Sequence, residues 1–132
     1  MEKLLFTDIL KRLKSVDFPK VDVVVGIATG GLVPAALVAS LLNVELHTIH
    51  LNFRNEDNKP QHDKPLIIKD LNLSLPLHCK ILLVDDVSVS GQTIEVAKQF
   101  LKSYHVTSFV LKGKGDIVLY PEIKDCVKWP WK

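Results

Sequence analysis

Apolar positions in this chain fall into two alternating patterns. Continuous aliphatic or β-branched runs occur at VDVVVGI (21–27), KILLVDD (80–86) and VTSFVLKG (106–113). All three predict strands, and the first is expected to be covered on both faces. VELHTIHLN (44–52) predicts a further strand, and DCVKW (125–129) a last short one. Between them lie segments with helical character. LVPAALVASLLN tolerates Pro34 in its first turn, and TIEVAKQFLKSY (93–104) gathers Ile94, Ala97 and Leu101 on one face. At the start, MEKLLFTDILKRLKS spaces Leu5, Ile9 and Leu13 four apart with Lys and Arg between, an amphipathic helix. The polar, aperiodic FRNEDNKPQHDKP (53–65) interrupts the order, and LIIKDLNLSLPLH resumes it with a short strand. A loop that long in so short a chain reads as functional or disordered. Strands alternating with helices predict an α/β domain over residues 1–132, with right-handed parallel crossovers and no internal repeat.

Composition narrows the picture. The chain has 132 residues, enough for one core and too few for two domains. Its formal charge is +2, with Lys and Arg spread along the chain, so no nucleic-acid surface is expected. Cys79 and Cys126 match neither a metal spacing nor a disulfide framework, which predicts reduced thiols and a cytoplasmic setting. From Asp22 to Glu45 there is no charge between, long enough to suggest a membrane span. Gly26, Thr29, Gly30, Gly31 and Pro34 break it near its middle, and a buried strand, a tight loop and a helix fit better. Neither a signal peptide nor a membrane partner is expected. The five histidines show no ligand spacing; His47 and His50, three apart in a strand, fall on opposite faces.

The chemistry concentrates in ILLVDDVSVSGQT (81–93). A buried strand runs into two adjacent carboxylates, Asp85 and Asp86, followed by a hydroxyl-rich loop and a helix start. Ligands of open α/β sheets sit beyond the carboxyl ends of strands. Free amides at a helix N-terminus suit an anion, Gly91 permits close backbone approach, and Ser88, Ser90 and Thr93 offer hydroxyls. The acids would repel a phosphate, so they must face sugar hydroxyls, or Mg²⁺ through water. A strand, loop and helix of this kind can hold a sugar phosphate. The competing reading is simpler: two loop acids and a Thr93 helix cap.

ILLVDDVSVSGQT resembles the phosphoribosyl-pyrophosphate (PRPP) motif of type I phosphoribosyltransferases, and GIATGGLVPAALVA resembles that family's pyrophosphate loop. The tail DCVKWPWK is similar to that of xanthine/guanine-type enzymes, which end in a Pro-Trp pair. The resemblance spans about residues 21–131. It implies a mostly parallel five-stranded sheet between helices with a small C-terminal hood, and transfer of ribose 5-phosphate from PRPP to a nucleobase, a purine favoured, with release of pyrophosphate. It implies Mg²⁺ as cofactor and a homodimer, to which Trp129, Trp131 or the 32–42 helix would contribute. By position, Asp85 and Asp86 would be the catalytic and metal-organising acids. Ser88, Val89, Ser90, Gly91, Gln92 and Thr93 would wrap the 5′-phosphate. Thr29, Gly30 and Gly31 would meet pyrophosphate, Lys112, Cys126, Val127 and Trp129 would line the base site, and 53–65 would be a lid.

The chain departs from that family at three positions. Val89 stands where 6-oxopurine enzymes carry an acid, so it cannot exchange a proton with the base. Thr29 replaces an arginine, removing a permanent charge from the pyrophosphate loop; Arg54, Lys59 or Lys64 could compensate. Cys126 stands where an aromatic ring stacks on the base, with Trp129 or Trp131 as substitutes. Val89 and Thr29 also suit a different class of protein, one that senses PRPP or a nucleotide without turnover. A generic phosphate-binding domain fits less well, because Gly26-Ile27-Ala28 puts no acid at the end of the first core strand.

Overall fold

A computed structural model of the chain describes residues 1–52, 66–69 and 75–132. The 53–65 segment expected as a lid, with Arg54, Lys59 and Lys64, lies outside the described residues. Among the described residues, the β-branched runs become β2 (Val23–Ala28), β5 (Lys80–Ser88) and β6 (His105–Gly113), joined by β3 (Glu45–Asn52), β4 (Leu66–Lys69) and β7 (Ile117–Val118). They form one sheet in the order β4-β3-β2-β5-β6-β7. Five of these strands run parallel, the expected five-stranded sheet, and β4 adds an antiparallel edge beside β3.

Each side of the sheet has its own core because strand side chains alternate. Val24, Leu82, Val84, Phe109 and Leu111 face α1 (Phe6–Lys14) and α2 (Leu32–Leu42). Val25, Ile27, Leu83 and Val110 face α3 (Gln92–Phe100), which contributes Ile94 and Ala97. Ile9 and Leu13 of α1 are buried, as the four-residue spacing predicts, while Leu5 is 55% exposed because it lies at the N-cap, outside the helix. Asn43 ends α2 in the left-handed conformation, returning its amide to the carbonyls of Ala39 and Ser40.

The two ends of the chain meet. β1 (Glu2–Lys3) pairs in parallel with β8 (Val127–Lys128), and the Glu2 amide donates to the Cys126 carbonyl at 3.0 Å. Arg12 of α1 donates from Nε to the Leu119 carbonyl at 3.1 Å and lies 4.7 Å over the Tyr120 ring. Trp129 and Trp131 stack at 5.4 Å, nearly parallel, and Trp131 meets Phe6 at 6.0 Å. The C-terminal segment therefore covers the α1 and α2 side as the expected hood. Cys79 and Cys126 are both free thiols, and no described helix is long and apolar enough to cross a membrane.

Candidate active site

The strand order reverses direction between β2 and β5. The chain moves from β2 outward to β3, then returns to the other flank of β2 and moves outward through β6 and β7. A crevice opens at such a switch, beyond the carboxyl ends of the two strands. Both loops singled out in the sequence start there.

At the end of β5, Asp85 and Asp86 are 8% and 7% exposed. Each is held by the chain itself: the Asp86 amide donates to Asp85 Oδ1 at 2.8 Å, and the Val87 amide to Asp86 Oδ1 at 2.7 Å. Burial first, and the charge of Asp86 second, push the Asp85 carboxyl from its ordinary 3.8 up to about 8. Asp86 Oδ2 accepts no directed hydrogen bond among the described residues, although the Lys132 ammonium forms an ion pair with it at 2.8 Å.

At the end of β2, residues 29–31 turn the chain tightly into α2. The Gly31 amide donates to the Ile27 carbonyl at 2.8 Å, and the Leu32 amide to the Thr29 carbonyl at 3.1 Å. No backbone hydrogen bond among the described residues uses the amide of Thr29 or Gly30. The loop packs against the acid strand. A Cβ on Gly30 would stand 2.6 and 2.7 Å from the two Asp86 carboxylate oxygens, and one on Gly31 would stand 2.7 Å from the Val84 carbonyl oxygen. Only glycine allows that approach. The Ala28–Thr29 peptide is cis.

Behind the acids, the loop from Ser88 to Thr93 leads into α3. The expected Thr93 cap is not what starts this helix. Gly91 is the N-cap residue, in the left-handed region at φ +83°, and Thr93 already lies inside α3. Ser90 Oγ accepts from the Gln92 amide at 3.2 Å. Ser88 is buried, and its hydroxyl has no partner among the described residues. Val89 projects from the loop, 82% exposed. The Lys114 amide ties the loop down, donating to the Ser88 carbonyl at 2.7 Å. Its stem passes beside Gly91, with Cβ 3.8 Å from where a Gly91 side chain would begin.

The candidate base contacts divide. Lys112 is half-buried and pairs in register with Val87, beside the acid strand's end. Cys126 is exposed, and with Val127 it is engaged in the ladder to β1. Trp129 is 3% exposed within the core and covered by Trp131, so its ring serves packing and offers no face to a base or to a second subunit. Two lysines near the crevice carried no sequence signal. Lys132 comes from the hood and Lys114 from the β6–β7 turn; both belong to the site only through tertiary contacts. Among the described residues no group of three metal-ligating side chains occurs. The acidic pair still suits Mg²⁺, which commonly binds through one or two carboxylates plus water and substrate phosphates.

Comparison with known proteins gives a consistent picture. The family model described as a phosphoribosyl transferase domain matches residues 5–114. Among solved structures, a purine phosphoribosyltransferase from Pyrococcus horikoshii Ot3 superposes with a TM-score of 0.80 at 23% identity, covering 98% of this chain and 93% of its own. A Helicobacter pylori xanthine-guanine-hypoxanthine phosphoribosyltransferase gives 0.75 at 16% identity, covering 98% and 92%. A Neisseria gonorrhoeae protein solved with bound ppGpp gives 0.74 at 22% identity, covering 98% and 89%. At these identities the likeness is one of fold. A search of the curated proteins gave no match.

Proposed function

The chain belongs to the phosphoribosyl transferase domain family, and from that premise we propose that it transfers ribose 5-phosphate from PRPP to a nucleobase, a purine by preference. The observation that carries the reading is the meeting of two loops on one acidic pair. Gly30 lies against the Asp86 carboxylate, and the phosphate loop leaves the same strand two residues later. A diphosphate on the first loop and a 5′-phosphate on the second bracket a ribose whose hydroxyls face Asp85 and Asp86. Few other ligands have an anion at each end and hydroxyls between.

The protein's part is then positioning and electrostatics. The bond from ribose C1 to the pyrophosphate oxygen breaks, a bond from C1 to a ring nitrogen of the base forms, and the base gives up a proton. Thr29 and Gly30 amides hold the departing pyrophosphate. Asp85 and Asp86 hold the ribose hydroxyls, and Asp85, whose carboxyl burial and the neighbouring Asp86 push up to about 8, can donate as well as accept when it carries its proton. Ser88, Ser90 and the amides at the start of α3 hold the 5′-phosphate, assisted by the helix dipole. Lys112 would meet an exocyclic oxygen of the base. Asp85 and Asp86 would hold Mg²⁺, which supplies charge neutralisation for the diphosphate. Val89 accepts no proton, so the proton that the base gives up passes to water.

A second reading, a nucleotide sensor without turnover, is favoured by Val89, which places an exposed aliphatic tip at the position of the usual acid. Calorimetry with Mg²⁺ and PRPP, joined to a screen of bases for pyrophosphate release, separates the two. The transferase binds PRPP and releases pyrophosphate with at least one base. Binding without release leaves the sensor, and no binding of PRPP or nucleotide removes both. The double variant Asp85→Asn, Asp86→Asn is expected to fold and to lose PRPP affinity by at least about tenfold; unchanged affinity contradicts the ribose role.

A further inference from the structure

The crevice holds two buried carboxylates and a loop suited to a diphosphate, yet Thr29, Gly30 and Gly31 carry no charge. A polyanion beside two acids needs fixed positive charge close by. On the reading of the site given above, we infer that Lys132 is a substrate-binding residue whose ammonium contacts the diphosphate held on the 29–31 loop. Its position carries the argument. Lys132 Nζ lies 2.8 Å from Asp86 Oδ2. A side chain on Gly30 would begin 2.6 Å from that same oxygen. The ammonium is therefore no farther than the sum of those two lengths from the point where a Gly30 side chain would begin, within reach of an anion seated on that loop.

The state of the contact fits this role. Lys132 is 57% exposed along its side chain, and its pairing with Asp86 leaves Oδ2 without a directed hydrogen bond. An ammonium with three donors can keep Asp86 while adding a phosphate oxygen, at small desolvation cost. The segment that carries it is firmly seated: Trp129 is buried, Trp131 stacks on it, and Trp131 also meets Phe6. The hood thus delivers a tethered cation beside a loop, Thr29 to Gly31, that carries no charge of its own. A counter-ion that merely neutralises Asp86 would behave oppositely, since an incoming ligand would have to displace it.

Titration of inorganic pyrophosphate with Mg²⁺ into the full chain distinguishes these roles. Lys132→Ala and Lys132→Gln are expected to weaken pyrophosphate binding about tenfold or more, while Lys132→Arg retains most of it. Ribose 5-phosphate, titrated in parallel, should lose much less affinity than pyrophosphate in each variant, because Lys132 reaches the ribose only through Asp86, and unchanged tryptophan emission shows that the hood stays packed. Equal or tighter pyrophosphate binding by Lys132→Gln, which keeps the stem and loses the charge, overturns the inference and leaves the rest of the site standing. A wild-type protein that binds no pyrophosphate overturns it too, and if ribose 5-phosphate is also unbound the reading of the site falls with it.

Discussion

Asp85 is buried beside Asp86, and both facts disfavour its charge, burial more than the neighbour. In the unfolded chain its proton leaves near 3.8, whereas the folded protein keeps it to about 8. Between those values the folded state binds more protons, so stability falls as pH rises across that window. The contribution is fully present below the lower value and lost on passing the upper one. Asp85→Asn removes the titration while keeping the shape. Its stability advantage over wild type, read from urea denaturation, should grow by at least about 1.4 kcal/mol between about pH 5 and about pH 8.5, the equivalent of one pKa unit. A difference that stays constant across this range would show that the carboxyl is not held neutral. The same variant should bind PRPP more weakly, so stability gained and affinity lost would come from one substitution, as expected where a site stores unfavourable charge.

At the scale of elements, what was legible follows the strength of the local signal. The runs VVVGIA, KILLVDDVS and HVTSFVLKG declare β2, β5 and β6 because each carries a mainly aliphatic or aromatic stretch where the strand is buried. The acids and the glycine loop were legible for the converse reason, since they interrupt such runs at their carboxyl ends. The last short strand expected in DCVKW is β8 (Val127–Lys128), whereas its partner Glu2–Lys3 and the two-residue β7 have no apolar pattern long enough to betray a strand. The β1–β8 ladder exists only because distant segments meet. The cap of α3 was misplaced for a related reason. Thr93 has the right chemistry for a cap, but Gly91, free to adopt φ +83°, starts the helix two residues earlier. Gly91→Ala therefore places a Cβ in the left-handed region and should cost about 1–2 kcal/mol of stability. It should also weaken ribose 5-phosphate binding, because the loop amides would turn away from the phosphate. Wild-type affinity in a folded Gly91→Ala protein would contradict the part given to this loop.

Across the whole molecule, the site is assembled from segments far apart in the chain. Asp86 belongs to β5, one of the two central strands of the sheet, Gly30 to the turn after β2, and Lys132 to the hood. No short stretch of sequence contains that arrangement, which is why Lys132 escaped a reading based on motifs. Arg12 shows how the hood is fastened. Its hydrogen bond to the Leu119 carbonyl and its stacking over Tyr120 join α1 to the segment leading toward the tail. Its pairing with Glu122 is exposed and adds little. Arg12→Ala should therefore cost about 1–2 kcal/mol, chiefly through the lost carbonyl bond and ring contact, while Glu122→Gln leaves the stability essentially unchanged. If the hood positions Lys132, Arg12→Ala should also weaken pyrophosphate binding and alter the emission of Trp129 and Trp131, although Arg12 itself pairs with Glu122 and Leu119 rather than with Asp86. The control is the same substitution in a Lys132→Gln background. There the loss of pyrophosphate affinity should largely disappear, because the charge that Arg12 helps to place has already been removed. Additive losses in the double variant would mean that α1 acts on the crevice by another route.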